Sequence, residues 1–434
     1  MSAHASPVTP TAEPAELRPV QLAWLAAAVF VVSAGYGALL PLLPAWLISI
    51  MPGTAATQVA RHVGLLSGVY AAGVLAGALL WGVVSDRVGH GRILITGLVG
   101  YVASLMLLLV PGWVGLWGIY ALRGATGFFV AAVVPVVSAL VGEHTPEERR
   151  ARRVAWLGAM SLLGFLFGPA LTAMADWLGS WAGDVLPAPL AARAAIVLSA
   201  LLGAVVMLAL AMTLPASRAP IAAQHNPVTA AQGGTTALWW LNGAIMFVLA
   251  GFEVGIVLQA QQHTGLSSRQ AAMMFAECSL VMLGINALLF FTSLLERISP
   301  RCLTGAGLIL AAVGLAVLAG HRSDAWLYLG VSLTSAGTGL VLPVIAYLAA
   351  GSSPQKLGAT MGRLAAAASF GQTLGSAAGG WLFGALAQRS FGWLTLPLIV
   401  MLGLVLTVPG GRSVISPGFD RHPTRAIARN QAAE

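Results

Sequence analysis

The sequence is dominated by long apolar segments separated by short stretches that carry charged residues. A bilayer core of about 30 Å requires about 20 helical residues to cross it, and twelve segments meet that requirement. Charged residues make up only 8% of the chain, against about 25% in soluble domains. A water-soluble fold could not cover its surface with so few charges, so we predict an all-α membrane protein. The predicted spans are 21–48, 63–84, 93–110, 113–141, 154–177, 191–214, 238–260, 268–293, 302–319, 325–349, 361–386 and 391–408.

A polar stretch divides these spans into six and six. It contains His225, Asn226 and the pair Gly233-Gly234, and its composition is typical of a flexible linker. We therefore expect two six-helix halves with short tails. The expected units are a cytoplasmic tail at 1–19, an N-terminal half at 20–215, a cytoplasmic linker at 216–236, a C-terminal half at 237–410 and a cytoplasmic tail at 411–434.

Basic residues are distributed unevenly between alternate loops. With both termini inside, sixteen lie on the cytoplasmic side and five on the outside, as expected when positive charge accumulates in cytoplasmic loops. The net charge of +8 is therefore explained by membrane topology, and nucleic acid is not an expected partner. Residues 1–19 lack the basic start and cleavage site of a signal peptide, so we expect them to be retained.

Four features of the first half recur 207 to 210 residues later. One of them is Pro135 in span four, which is matched by Pro343 in span ten. Another is a glycine pair in span five, which is matched by Gly371 and Gly375 in span eleven. Recurrences in register predict two similar halves, an arrangement used by transporters whose substrate site lies near the bilayer midplane.

The segment between spans two and three, residues 82–92, reads GVVSDRVGHGR. Its pattern G-x-x-x-D-R-x-G resembles the loop between the second and third helices of the major facilitator superfamily of transporters. The resemblance implies that fold, with twelve helices in two six-helix repeats, and a conformational latch in this loop. The alternative is a solvated turn that only follows the charge rule. We expect Gly82 to allow close helix approach and Gly89 to permit a tight turn; the gating residues would be Gly82, Asp86, Arg87, Gly89 and Arg92.

Two further patterns resemble the drug:proton antiporter branch of the same superfamily. Arg123 lies about 15 Å into its span, and its R-x-x-x-G pattern resembles the fourth-helix motif associated with proton transfer. In span five, Gly164-x-x-x-Gly168-Pro169 resembles the signature of antiporters. The alternatives are a structural ion pair for Arg123 and ordinary small-residue packing for the glycines.

Two acids, Glu253 in span seven and Glu277 in span eight, lie at a depth similar to that of Arg123. A carboxyl group can bind and release a proton, whereas arginine stays protonated. We predict that these three residues couple transport to protons, with Glu253 favoured; alternatively, either acid is a hydrogen-bonded core group. Drug exporters of the family carry an acid in the first helix, where this chain has Tyr36. The expected substrate cavity contains Tyr36, Asn242 and Met246.

These patterns predict a secondary active transporter that exports an amphipathic or drug-like molecule by proton antiport and alternating access. The alternative is a proton symporter or facilitator that imports a small organic nutrient. An enzyme is not expected, since the single lysine, Lys356, lacks the glycines of a phosphate-binding loop. We expect no cofactor and no metal, because His and Cys do not have metal-ligand spacing. Expected partners are the substrate, protons and the lipid bilayer of the inner membrane, and the protein is expected to be a monomer.

Overall fold

In the described residues of the computed structural model, α-helices are joined by short turns and by one 3₁₀ helix, Ala387–Arg389. The structure describes residues 17–146, 149, 153, 156–168, 171, 188–214, 236–262, 268–292, 294–352 and 357–407. The helices are α1 (Pro19–Ile50), α2 (Ala56–Val88), α3 (His90–Leu107), α4 (Pro111–Val130), α5 (Val134–Glu143), α6 (Trp156–Gly168), α7 (Ala188–Thr213), α8 (Thr236–Gln262), α9 (Ser268–Phe291), α10 (Leu294–Arg297), α11 (Pro300–Gly320), α12 (Asp324–Ser352), α13 (Leu357–Leu386), α14 (Ser390–Trp393) and α15 (Thr395–Thr407).

Ten stretches of the described residues are long and apolar enough to cross a membrane. The last of them, Thr360–Thr407, covers most of α13 and all of α15, and α6 is a shorter apolar helix. The predicted all-helical, multi-pass membrane protein is confirmed. The number twelve stays a prediction, because the predicted fifth span extends beyond the described residues.

The fourth membrane-crossing stretch is broken into α4 and α5. Pro135 lies in the first turn of α5, and proline has no backbone N–H with which to continue a helical ladder. Between the two helices, the N–H groups of Ala132 and Val133 bond to carbonyls three residues back, as in a 3₁₀ turn. At the matching position of the second half, Pro343 lies inside α12, which is continuous. The two proline positions therefore differ in backbone structure.

The helices pack around one extensive apolar core. Helix α13 packs along α8 on one side and along α2 on another, so it lies where the two predicted halves meet. Within the halves, α1 packs against α7 and α11 against α12. Contacts between the halves are therefore concentrated on α2 and α13.

Candidate functional site

Helices α2 and α13 touch through glycines. A Cβ built on Gly380 would lie 2.6 Å from the Cα of Gly64 and 2.5 Å from a backbone oxygen of α2. On either side of this point, a Cβ on Gly68 or Gly384 would lie 2.9 Å from a backbone oxygen of the opposite helix. Only residues without a side chain allow backbones to approach so closely. We call the contact between Gly64, Gly68, Gly380 and Gly384 the closed seam.

The two helices diverge away from the closed seam. About 27 Å further along each helix, at Gly82 and Gly362, an added Cβ would meet nothing within 4 Å. The seam lies at the end where α2 begins and α13 ends. The structure therefore holds the two parts of the bundle together at one end of this helix pair only.

Arg123 on α4 is buried, with 1% of its surface exposed. Its guanidinium carbon lies 4.8 Å from the ring centroid of Tyr70 on α2. Among the described residues, its Nε and Nη2 atoms have no hydrogen-bond partner. A desolvated cation–π contact contributes about 2 kcal/mol, less than the several kcal/mol that burying an unpaired charge costs. A charge held at such a cost inside a membrane bundle is typical of a functional residue.

A continuous series of contacts leads from Arg123 to Glu253. The rings of Tyr70 and Tyr36 on α1 are 4.9 Å apart, and the Tyr36 hydroxyl donates a hydrogen bond of 3.3 Å to Glu253 Oε2 on α8. Glu253 is also buried. We call Arg123, Tyr70, Tyr36 and Glu253 the polar chain. It joins a buried cation of the first predicted half to a buried acid of the second.

Aromatic rings extend the site between the halves. The ring of Phe165 on α6 lies 5.8 Å from Tyr36 and 6.1 Å from Phe275 on α9. These contacts connect α6 of the first predicted half with α9 of the second. The polar chain is therefore bordered by flat apolar surfaces, which suit an amphipathic ligand.

The glycines of α6 pack closely against α1. A Cβ on Gly168 would lie 2.5 Å from the carbonyl carbon of Gly37, and a Cβ on Gly164 would lie 2.9 Å from the Cβ of Ser33. The Ser33 hydroxyl is also 2.9 Å from that of Ser161. Close packing at the glycine pair is thus confirmed, while Pro169 lies outside the described residues.

The matching glycines of α13 make the equivalent contact in the second half. A Cβ on Gly371 would overlap the carbonyl oxygen of Gly243, and one on Gly375 would overlap that of Phe247. Both contacts are with α8, the first helix after the predicted linker. In each predicted half, therefore, a glycine pair packs on the first helix of that half.

The predicted gating loop is shorter in the structure than in the sequence interpretation. Helix α2 continues through Asp86 and Arg87, so Gly89 alone joins α2 to α3. Its φ of 103° is readily adopted only by glycine, which confirms the tight turn expected there. Arg87 and Arg92 are exposed. In this structure Gly82 makes no close helix contact, because no neighbour lies within 4 Å of its added Cβ. Its expected role in close helix approach stays a prediction.

His90, the first residue of α3, has an acidic partner on another helix. His90 Nδ1 lies 3.4 Å from Glu143 Oε2, at the end of α5. No sequence pattern predicts this pair, because the two residues are far apart in the chain. The contact attaches the start of α3 to the end of α5.

Two predicted cavity residues, Asn242 and Met246, lie on α8, the helix that carries Glu253. Asn242 is buried, and its Nδ2 donates a hydrogen bond of 2.8 Å to the carbonyl of Leu364 on α13. Met246 is half-buried and packs on the core. Asn242 therefore fastens α8 to α13, and a direct role in a substrate cavity stays a prediction for both residues.

Glu277, the third predicted coupling residue, lies apart from the polar chain. It accepts a short hydrogen bond from Ser332 on α12, and its Oε2 is buried without a partner among the described residues. The structure thus links Arg123 to Glu253 through two tyrosines, whereas Glu277 is bonded to Ser332 and is not part of the polar chain.

Sequence reasoning missed Tyr70 and Phe165, which complete the site. Tyr70 carried a usable signal, because it is a tyrosine near the middle of a predicted span. Buried tyrosine hydroxyls usually have a polar partner. Phe165 carried none, since phenylalanine is common throughout the spans.

Comparisons with known proteins agree with the fold. A family model described as Major Facilitator Superfamily matches residues 25–287 and 238–430. The class D tetracycline resistance protein of Salmonella ordonez is 25% identical over 391 residues, covering 86% of this chain and 92% of that protein. The class B protein of Escherichia coli is 31% identical over 153 residues, 35% of each chain. The crystal structure of the human organic anion transporter MFSD10 (TETRAN) has a TM-score of 0.67 at 20% identity, covering 90% of this chain and 100% of that one.

Proposed function

The chain belongs to the major facilitator superfamily, and on that premise we propose that it exports an amphipathic or drug-like small molecule in exchange for protons. Export is supported by the glycine pair of α6 and by similarity to tetracycline resistance proteins over most of the chain. The observation that carries proton exchange is the polar chain, in which a buried acid of one half contacts a tyrosine of the other.

The polar chain supports proton coupling because its partners belong to different halves. Tyr36 lies on α1 and Glu253 on α8, so a movement of the halves relative to each other lengthens or restores their hydrogen bond. The environment of the Glu253 carboxyl then differs between the two states, and so does its affinity for a proton. Arg123 stays protonated and acts through Tyr70 as a fixed positive charge.

Alternating access requires that the two ends of the bundle open in turn. In this structure the closed seam blocks the end where α2 begins, which is the outer end under the basic-residue bias. Asp86, Arg87 and Gly89 lie at the opposite end of α2, where we assign them the latch role. The equivalent glycine pairs of α6 and α13 support twelve spans in two six-helix repeats, with both termini in the cytoplasm.

The substrate binds, in this proposal, between the two halves beside the polar chain. The partly exposed ring of Phe165 supplies apolar contact area there, while Tyr36 and Glu253 supply polar groups. Asn242 and Met246 extend the same surface along α8. Rings combined with an acid and a hydroxyl suit an amphipathic molecule.

A second function, import of a nutrient by proton symport, remains the alternative on the same fold. Transport assays in everted membrane vesicles distinguish proton antiport from proton symport. Respiration acidifies their interior, and an exporter that exchanges protons for substrate moves an added compound inward while protons leave. We expect a panel that includes tetracycline to contain compounds that raise the internal pH only in vesicles containing the protein. If no compound does so, while preloaded compounds leave the vesicles together with protons, the protein is a symporter.

A further inference from the structure

Glu277 lies on the face of α9 that points away from the bundle interior. Met273 and Leu280, about one turn before and after it, are 53% and 59% exposed. Phe275 and Cys278 are buried, and Phe275 is about half a helical circumference away from Glu277. The acid therefore belongs to the surface that faces lipid, not to the face that contacts the polar chain.

The carboxyl group of Glu277 has one partner and lacks a second. Ser332 on α12 donates a hydrogen bond to Oε1. Oε2 is buried, and no described residue forms a hydrogen bond with it. An ionised carboxylate there lacks a donor, and a protonated one lacks an acceptor, so a polar atom is left unsatisfied in either form. Leaving such an atom unpaired destabilises the structure, because its desolvation is not offset by a hydrogen bond.

The surroundings of Glu277 restrict the kind of molecule that could act as the second partner of its carboxyl group. Glu277 is about 14 Å along α9, near the middle of a hydrocarbon core of about 30 Å. Lipid headgroups do not reach that depth. A partner must therefore dissolve in the hydrocarbon itself and carry a positive charge or an N–H donor. Leu329 on α12 is also exposed and, with Met273 and Leu280, provides apolar contact on both sides of the acid.

We propose that Glu277, Ser332, Met273, Leu280 and Leu329 form a bilayer-facing site for a lipophilic organic cation, separate from the polar chain. The cation lies against α9 and α12 on their lipid-facing side, with its charge beside the partly exposed Glu277 side chain and its apolar groups against the three exposed side chains. The site depends on α9 crossing the membrane, but not on proton exchange or on the direction of transport.

The test measures binding of tetraphenylphosphonium to the full-length protein in nanodiscs of zwitterionic lipid. We expect saturable binding that Glu277→Gln weakens about tenfold, as for loss of a charge-assisted contact, and that Glu277→Asp largely retains. Asp324→Asn is the matched control, because it removes an exposed acid from the start of α12 and should leave affinity unchanged. Tetraphenylborate, with the same shape and the opposite charge, should not compete.

A photoreactive phosphonium locates the site independently of protein yield. Adducts on Met273, Leu280 or Leu329 are expected, and they should persist in Glu253→Gln. Adducts confined to residues around Tyr36, or an affinity that falls in Glu253→Gln but not in Glu277→Gln, would overturn the bilayer-facing site. That outcome would leave proton-coupled export standing. If these adducts form but the protein does not export any compound in vesicles, the bilayer-facing site stands and proton-coupled export is refuted.

Discussion

A methyl group at Gly380 would act directly on the closed seam. The new Cβ would lie 2.6 Å from the Cα of Gly64 and 2.5 Å from the carbonyl oxygen of Ala60, and both neighbours are backbone atoms that cannot rotate away. Ordinary contact begins at 3.4 Å, so α2 and α13 must separate. Overpacking of this kind costs about 1–3 kcal/mol. If the transport cycle opens the seam, only the closed state bears that cost.

The expected shift in the equilibrium between the two states is therefore about 5- to 150-fold toward the open seam. Alanine also favours a helix over glycine by about 1 kcal/mol, but this gain is the same in both states and cancels. Spin labels at Gln58 and Ala385, both exposed near the seam, report the distance between the helices. Cys278 and Cys302 are the free cysteines of the described chain and are replaced before labelling. Gly380→Ala should raise the fraction of long distances.

Gly403→Ala is the matched control, since Gly403 lies within α15 and its added Cβ would meet nothing within 4 Å. It should leave the distance distribution unchanged. If Gly380→Ala also leaves the distribution and the yield of folded protein unchanged, the seam is not a tight contact that the cycle must break, and the reasoning is refuted.

Reporter fusions at Gln224 should read as cytoplasmic and fusions at Ala56 as periplasmic, because basic residues are concentrated on one side; the reverse pattern would contradict the topology. Gly168→Leu should reduce folded protein, measured by size-exclusion chromatography, much more than Gly158→Leu, because only the Gly168 Cβ position meets backbone atoms. Equal losses would indicate generic packing. Arg87→Ala should lower transport more than it lowers membrane protein, since a latch biases two states; normal transport would leave the loop as a topology signal.

The fold class was predictable because it follows from the length and apolarity of segments, which are local properties of the chain. The tight turn at Gly89 and the close contacts of Gly168 were predictable for a similar reason, as both depend on the absence of a side chain. The break before Pro135 was not, because Pro343 occupies the matching position in a continuous helix. Whether proline interrupts a helix depends on how the neighbouring helices satisfy its backbone. Gly82 shows that a glycine in a motif need not touch another helix in the state that the structure shows.

The candidate site was predictable only in part. Depth along a helix identified Arg123 and Glu253, because charge in the membrane interior is expensive wherever it occurs. Their connection through Tyr70 and Tyr36 depends on how four helices pack. No local sequence pattern predicts that packing. The same limit explains Glu277, whose depth matches that of Glu253. Depth does not show which side of a helix faces the interior, and its lipid-facing position emerges only from the exposure of neighbouring residues.

The central claim is that Glu253 carries the coupled proton, and its most direct test compares two modes of transport in one variant. Uphill export driven by a proton gradient requires the carboxyl group, whereas exchange of substrate across the membrane at equal pH does not. Glu253→Gln, with Glu277→Gln as its matched control, should abolish uphill export in everted vesicles and preserve exchange, while the control keeps both. Uphill export at a normal rate in Glu253→Gln would contradict the claim, and its loss in Glu277→Gln alone would move the proton site to α9.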